Sequence, residues 1–359
     1  RDRAYDVPTA VEERLTDAPG DQKYPSVFRD FVVWHGDQAT ARNVYLHDMS
    51  DGMEYPLTSS GEHQDYPDVW GNKTVWIDGR GVGQYDIWMA ESELELDRSG
   101  GLTRYETAAK VSENHFANAG TVVVATGADF ADALAASGLA GCYGGPLVLT
   151  LPGQLAPAAA AEIDRLGATK AVIVGGEGAV LPAVASSLTG MGLTVERIGG
   201  ADRYETATLI ADEIESMTGA NFEKTAFIAR GDEFPDALAV SPLAYYNRFP
   251  ILLTRPDALP PVTAAAIQSL DIEGGVVAGG PGAVSATVKN AVDGLLNANG
   301  GGLTERWAGP TRYETAVEVA EGACKNYWAG RGFIGLAVGD NFPDALSGGA
   351  AAGREFGVL

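Results

Sequence analysis

The chain has 359 residues, 45% hydrophobic and 20% charged, so it can bury several cores and is predicted to form two to four structural units. Its 25 Lys and Arg residues against 48 Asp and Glu residues give a formal net charge of −23, which argues against nucleic-acid binding through a basic surface. An anionic ligand would need local basic pockets. No apolar run approaches the ~20 residues of a membrane span, and the polar start shows no signal peptide, so we expect no membrane insertion.

A short repeat occupies the first 95 residues. The Tyr-Pro segment at Tyr24 recurs at Tyr66, and a Val-Trp pair follows in both places. The spacing of just over 40 residues is that of a propeller blade of four short strands, so we predict a β module of about two blades. Because no closed propeller is that small, we expect either further blades upstream or a small β module packed on its neighbour. Four acidic residues of this module lack the spacing of a calcium loop, which favours solvated turns over a metal site. They are Asp65, Asp68, Asp78 and Asp86.

A longer repeat runs from Arg98 to the end, in copies of about 100 residues. Its first block has two arginines six residues apart, followed by Tyr-Glu-Thr-Ala. The pairs are Arg98 with Arg104, Arg197 with Arg203, and Arg306 with Arg312. The second block carries an aspartate before Ala-Leu, the third is Pro-x-x-Leu-Thr, and the fourth ends in Gly-Gly. The third copy stops at Leu359, where its third block should begin, so we expect the sequence to be cut from a longer chain.

Apolar segments alternate with helical patterns in the first copy. We predict strands over residues 121–125, 147–150, 171–174 and 193–197, and helices over residues 130–141, 157–166 and 181–188. Continuous apolar strands alternating with helices predict a parallel or mostly parallel sheet in an α/β fold. The predicted domains are residues 1–95, 96–195, 196–303 and a partial repeat at 304–359.

Each copy of the first block contains a capping-box pattern, formed by Thr103 with Glu106, Asp202 with Glu205, and Thr311 with Glu314. The side chain of the first residue would accept hydrogen bonds from amides of the first helical turn. The glutamate side chain would accept a hydrogen bond from the backbone amide of the cap residue. We therefore interpret this glutamate as structural.

The second arginine of each pair would lie at a helix start, where the helix dipole disfavours a cation. We expect it to meet an oxyanion, either a ligand phosphate or a carboxylate of this protein. The internal alternative is a salt bridge to the second-block aspartate, which is Asp132, Asp236 or Asp344. The tyrosines that follow the arginines could stack on a sugar or lie in the core, with the core favoured: Tyr105, Tyr204 and Tyr313.

Catalytic motifs are missing from the sequence. No histidine, serine or cysteine group recurs across the copies, and the Gly-Gly pairs lack a full nucleotide-binding fingerprint. Cys142 and Cys324 are too few for a disulfide framework and are predicted to be buried thiols. We expect neither an enzyme nor a cofactor.

The ordered blocks from Arg98 to Leu359 resemble the cell wall binding repeat 2 family of Gram-positive surface proteins, including S-layer-associated ones. The resemblance implies Toprim-like repeats packed as a pseudo-threefold trimer, secretion to the cell wall or surface, and non-covalent anchoring to an anionic wall glycopolymer. The first copy departs from the pattern with Ala131 in place of proline. The N-terminal module resembles TolB-type propeller repeats. The residues implied to bind the polymer are Arg98, Arg104, Tyr105, Arg197, Arg203, Tyr204, Arg306, Arg312, Tyr313, Asp132, Asp236 and Asp344.

Two other functions remain open at this stage. The repeats could anchor a cell-wall hydrolase whose catalytic domain lies outside this chain. Alternatively, the chain could be a structural subunit of an extracellular filament or S-layer-like array, with copies of itself as a homo-oligomer or array neighbours.

Overall fold

The structure is a computed structural model. It describes residues 15, 21–28, 31–38, 41–49, 53–59, 63–70, 73–81, 84–91, 98–326, 329 and 333–359. The chain divides into two compact units, residues 1–96 and 97–359. Within the described ranges, none of the helices has the length and apolar character to cross a membrane.

The first unit is built from two antiparallel sheets. One is a four-stranded meander of β1 (Gln22–Phe28), β2 (Phe31–Gln38), β3 (Ala41–Asp48) and β4 (Met53–Pro56), and the other joins β5 (Gln64–Trp70), β6 (Lys73–Gly81) and β7 (Gln84–Glu91). Phe28 and Val33 of the first sheet share a small core with Val69 of the second. The meander has the strand number expected for one blade; the propeller assignment stays a prediction.

The short sequence repeat has a backbone counterpart. Strands β1 and β5 each carry a register shift at the same place, and there Tyr24 and Tyr66 have φ of 54° and 53°. Such a conformation is uncommon for a bulky residue. Its recurrence shows that the two sequence copies share a local fold.

The second unit contains two parallel sheets with the same strand order. In the first copy, the order is β9-β8-β10-β11, formed by β8 (Thr121–Thr126), β9 (Leu147–Thr150), β10 (Lys170–Val174) and β11 (Thr194–Ile198). In the second copy the order is β13-β12-β14-β15, formed by β12 (Thr225–Arg230), β13 (Ile251–Thr254), β14 (Gly274–Ala278) and β15 (Glu305–Trp307). The predicted parallel α/β architecture is confirmed.

Helices precede, connect and follow these strands. They are α1 (Arg104–His115), α2 (Ala136–Tyr143), α3 (Pro157–Arg165), α4 (Pro182–Gly190), α5 (Arg203–Thr218), α6 (Pro235–Asn247), α7 (Pro261–Ser269), α8 (Ala286–Ala298), α9 (Arg312–Lys325) and α10 (Pro343–Arg354). Proline at the first position fits five of them, because it fixes φ and has no N–H to leave unpaired. In the third copy, helices α9 and α10 accompany a parallel bridge between Ile334 and Val358.

Two sequence predictions need correction in the first copy. The helix predicted to start at residue 130 begins at Ala136, after a 3₁₀ turn at Ala133–Ala135, whereas α6 and α10 begin at Pro235 and Pro343. The physical reason is Ala131, since the first copy lacks the proline that pre-forms the first helical turn. The thiols of Cys142 and Cys324 are half-buried rather than buried, and no disulfide joins them.

The domain boundary predicted between residues 195 and 196 falls inside a strand. Strand β11 pairs with β10 from Thr194 to Ile198, so the first arginine of the second copy, Arg197, lies in the sheet of the first copy. Arg306 lies in β15, the last strand of the second sheet, in the same way.

Each sheet core is made of apolar strands. Residues 122–125 of β8 expose 1% of their surface or less. Burying one such valine side chain fully is worth roughly 1.5–3 kcal/mol, so these strands contribute strongly to the stability of the first two copies.

The α2, α6 and α10 helices pack against one another where glycines allow close approach. A Cβ on Gly141 of α2 would overlap the carbonyl oxygen of Tyr245 in α6. A Cβ on Gly353 of α10 would lie 2.6 Å from the carbonyl oxygen of Pro242, also in α6. Equivalent helices of the three copies therefore form one shared centre.

The first and third copies also contact each other directly. The His115 imidazole lies 3.2 Å from a Glu355 carboxylate oxygen, and the Arg354 guanidinium lies 5.7 Å from the Phe116 ring centroid. The three copies thus enclose the shared helical centre.

Candidate functional site

The second arginine of each pair holds a backbone carbonyl of its own copy. Arg104, Arg203 and Arg312 are the first residues of α1, α5 and α9, and each donates through one terminal guanidinium nitrogen to the glycine that opens the second block. The acceptors are Gly127 O at 2.5 Å, Gly231 O at 2.7 Å and Gly339 O at 2.5 Å. In the first two copies this glycine follows the first strand of the sheet, so the arginine lies at the carboxyl edge.

The same arginines connect the copies in a cyclic order. Arg104 lies over Phe342 of the third copy, Arg203 over Phe130 of the first, and Arg312 over Phe234 of the second, at 5.5–5.6 Å from the ring centroids. The three phenylalanine rings also meet one another at 5.5–6.0 Å. Cation–π contacts of this kind contribute roughly 0.5–2 kcal/mol each, so the arginines join the copies as well as marking the edge.

The predicted internal alternative, a salt bridge between the second arginine and the second-block aspartate, is absent from the residues that the structure describes. Asp132 and Asp236 lie instead against the fourth-block glycines. The Asp132 carboxylate would lie 2.7 Å from a Cβ on Gly175, and the Asp236 carboxylate would overlap one on Gly279. Asp344 of the third copy is exposed.

Burial raises the pKa of both packed aspartates above the usual value. For Asp132, a hydrogen bond from the Thr206 side chain and the charge of Arg203, both in the next copy, oppose that rise. For Asp236, the charges of Arg230 and Arg312 oppose it. Each carboxylate therefore faces the following copy, with an arginine of that copy nearby.

These raised pKa values predict a pH effect on stability. The folded state binds more protons than the unfolded chain between the ordinary aspartate pKa, about 4, and the raised value. The contribution of Asp132 and Asp236 therefore stabilises the protein at low pH and is lost as pH rises through that window. Compared with the wild type, the double variant Asp132→Asn with Asp236→Asn should gain in free energy of unfolding as pH increases. Urea unfolding of both proteins between pH 4 and 7 checks this, and a difference independent of pH would contradict it.

The first arginines of copies two and three brace a loop. Arg197 donates to Gly175 O at 2.7 Å and Val180 O at 2.8 Å, while Arg306 donates to Gly279 O at 2.5 Å and Val284 O at 2.9 Å. These carbonyls belong to the preceding copy. Arg98 has no preceding copy of the repeat and is exposed. Five of the six predicted arginines thus divide into two structural classes, and Arg98 belongs to neither.

Each tyrosine packs its ring on the same glycine whose carbonyl the arginine holds. A Cβ on Gly127, Gly231 or Gly339 would lie 2.7, 2.9 or 2.5 Å from the ring of the tyrosine of that copy. Exposure of the tyrosines differs: Tyr105 is half-buried, Tyr204 is 6% exposed and Tyr313 is 58% exposed. The favoured core position therefore holds for Tyr204 alone among the three.

The predicted capping boxes form at Thr103 with Glu106 and at Thr311 with Glu314. The second copy differs, because Asp202 accepts from Tyr204 N and Glu205 N while Glu205 accepts from Ala201 N. The predicted box therefore forms in the first and third copies, and the second copy departs from the prediction because Glu205 accepts from the amide before the cap residue.

Sequence reasoning missed the threonine of Tyr-Glu-Thr-Ala. It is buried in all three copies, and its hydroxyl accepts at 3.1 Å from a glycine amide six residues earlier. The pairs are Thr107 with Gly101, Thr206 with Gly200, and Thr315 with Gly309. The repeated Gly-x-x-Arg-Tyr-x-Thr spacing was the available signal.

Across the described ranges, no group of three or more His, Cys, Asp or Glu residues could hold a metal ion. In the N-terminal unit, Asp65 instead pairs with Arg42 at 2.6 Å and Asp68 accepts from Ser26 at 2.5 Å. The repeats therefore place guanidinium, phenol and carboxylate groups at their edges, where a ligand could contact them.

Comparison with known proteins identifies the class. The model of the cell wall binding domain 2 (CWB2) family matches residues 98–185, 197–289 and 306–358. The chain belongs to this family. The three matched segments coincide with the three copies of the repeat.

Among curated relatives, the chain is 29% identical over 269 residues to the N-acetylmuramoyl-L-alanine amidase LytC of Bacillus subtilis (strain 168), which covers 74% of this chain and 50% of the amidase. It is 31% identical over 224 residues to the Amidase enhancer of the same strain, covering 62% of this chain and 29% of that protein. The chain thus spans about half the length of the amidase and less than a third of the length of the enhancer.

Solved structures with the same fold include two proteins of Clostridium difficile. Cwp6 superposes with a TM-score of 0.64 at 20% identity, covering 91% of this chain and 58% of Cwp6. Cwp8 superposes with a TM-score of 0.62 at 24% identity, covering 80% of this chain and 51% of Cwp8. The CWB2 family match places the chain among proteins with cell wall binding domains, and the two structures show that it shares their fold.

Proposed function

We propose that this chain is a non-catalytic secreted protein that anchors itself non-covalently to an anionic polymer of the cell wall. The observation that carries the proposal is an arginine that holds the second-block glycine carbonyl in all three copies, at the carboxyl edge of the sheet in the first two, in a family of cell wall binding domains. In a chain of net charge −23, such local guanidinium groups are the means of holding an anion.

The polymer contacts proposed here centre on the second arginines and their tyrosines and aspartates. A guanidinium has several N–H donors, and the hydrogen bond to the glycine carbonyl uses one, so the others can meet an anionic oxygen. Three weak sites on one polymer bind tightly through avidity. Arg197 and Arg306 contribute by holding the fourth-block loop beside the edge.

A second candidate is the anchoring region of a cell-wall hydrolase. The similarity to half the length of a Bacillus subtilis amidase favours it. The chain itself should release no soluble peptidoglycan fragments from sacculi in either case, so the test is made on a longer protein that carries these repeats: one with a hydrolase domain releases such fragments, and a non-catalytic anchor releases none.

The anchoring proposal predicts salt-sensitive wall binding. Purified chain should co-sediment with cell-wall sacculi, lose binding when the anionic polymer is stripped, and bind more weakly as salt increases. The double variant Arg203→Ala with Arg312→Ala should lose at least about tenfold in affinity, because avidity multiplies the loss at two of three sites.

The control removes the same charge elsewhere. Lys110→Ala with Lys224→Ala deletes two lysines that pair with carboxylates near the surface. Circular dichroism checks that both double variants are folded. Unchanged binding by a folded arginine double variant would overturn the proposal.

A further inference from the structure

The carboxyl edges of the first two copies differ in charge. The second copy has Arg230 at the end of β12 and Arg255 directly after β13. The first copy has Thr126 and Leu151 at the matching positions. Strand pairing places these positions together, since Arg230 is the partner of Thr254 just as Thr126 is the partner of Thr150.

Arg255 is an exposed cation on an aromatic base. Its guanidinium carbon lies 5.0 Å from the centroid of the Tyr204 ring. In the described part of the chain, its guanidinium has neither a hydrogen-bond acceptor nor a carboxylate in ion-pair contact. Stacking on the ring fixes the direction of the guanidinium without using its N–H donors.

Arg203 directly precedes Tyr204 in the sequence, and its side chain reaches the same carboxyl edge of the sheet. It donates to Gly231 O at 2.7 Å, and Gly231 N donates to Thr254 O at 2.9 Å, one residue before Arg255. Arg203 and Arg255 thus belong to different elements, and both charges lie near Tyr204.

Three of the carboxylates near this edge already accept hydrogen bonds within the protein. Asp232 accepts from Arg230 at 2.5 and 3.0 Å, and Asp202 accepts from two amides at the start of α5. Asp132 of the first copy packs on Gly175 and accepts a hydrogen bond from the Thr206 side chain, so it is engaged as well. Exposed Asp257 follows Arg255 in the loop.

We infer that the second copy binds a phosphate ester of the wall polymer between Arg203 and Arg255, with Tyr204 as the base of the site, and that the first copy lacks this subsite. The inference rests on the proposed anchoring function and names the group that this edge recognises. A tetrahedral oxyanion offers several oxygens to guanidinium groups that arrive from different directions, whereas a carboxylate offers two in one plane.

The test uses a small probe in place of the polymer. NMR titration of the full chain with methyl phosphate should show saturable shifts, and acetate at the same ionic strength should bind more weakly. Arg255→Gln should weaken methyl phosphate binding about tenfold, as expected for loss of a charged hydrogen-bond donor. Lys224→Gln is the matched control, because it removes one charge at the opposite end of β12, and it should leave binding unchanged.

A gain-of-function variant keeps the test independent of folding defects. Leu151→Arg should create a second methyl phosphate site in the first copy, next to Arg104. The inference is overturned if the wild type shows no saturable binding, if acetate binds as tightly, or if Arg255→Gln binds like the wild type. Sacculus binding without methyl phosphate binding would sink the inference alone, and methyl phosphate binding without sacculus binding would sink the anchoring function alone.

Discussion

Replacing Gly141 with alanine is expected to lower the free energy of unfolding of the repeat unit by about 3 kcal/mol or more. The added Cβ would overlap the backbone carbonyl of Tyr245, and the neighbouring Cα of that residue lies within 2.9 Å. A backbone neighbour in a helix cannot rotate away as a side chain can, so α2 and α6 must separate. Separation opens the helical centre that all three copies share.

Gly294 supplies the matched control for this substitution. It lies in the exposed face of α8, and nothing stands within 4 Å of where its Cβ would be. Gly294→Ala should therefore stabilise by about 0.5–1 kcal/mol through helix propensity. Urea unfolding monitored by circular dichroism measures both variants. Equal effects of the two substitutions would show that α2 and α6 do not approach each other as closely as described.

The secondary structure of the repeats was accessible to sequence reasoning because each element carries a local signal. Strand β9 matches its predicted bounds of residues 147–150, and α3 ends one residue short of its predicted end, before Gly167, whose φ of 66° suits glycine. The late start of α2 was missed because it follows from a missing residue. Ala131 stands where the second and third copies have the prolines that begin their helices, Pro235 and Pro343.

The candidate site was harder to predict, since its contacts join residues from different copies. The pattern correctly placed Arg104, Arg203 and Arg312 at helix starts, where it predicted an oxyanion. The pattern could not show that a glycine carbonyl already accepts a hydrogen bond from each arginine. Every residue has a backbone carbonyl, so the sequence does not mark the one that an arginine contacts. The phenylalanine that each arginine covers belongs to another copy, so only the assembled unit reveals it.

Replacing Arg197 with alanine is expected to lower the free energy of unfolding by about 2–3 kcal/mol, and Arg306→Ala should do the same. Each arginine donates two charge-assisted hydrogen bonds to backbone carbonyls of the fourth-block loop. Losing them leaves two half-buried carbonyls without their donor. The loop between β10 and α4 should then open more often, so hydrogen exchange at residues 176–181 should accelerate in Arg197→Ala while the amides of β8 change little.

Arg98→Ala is the control that distinguishes loss of bracing from a general effect of removing a positive charge. Arg98 occupies the same position of the repeat in the first copy, is exposed, and has no earlier copy of the loop to brace. Arg98→Ala should therefore change the free energy of unfolding by less than about 0.5 kcal/mol. If Arg98→Ala destabilises as much as Arg197→Ala, or if the loop amides exchange at the wild-type rate in Arg197→Ala, the first arginines do not act as braces. In that case their recurrence would have to be explained by ligand contact alone, and all six arginines would return to a single class of polymer-binding residues.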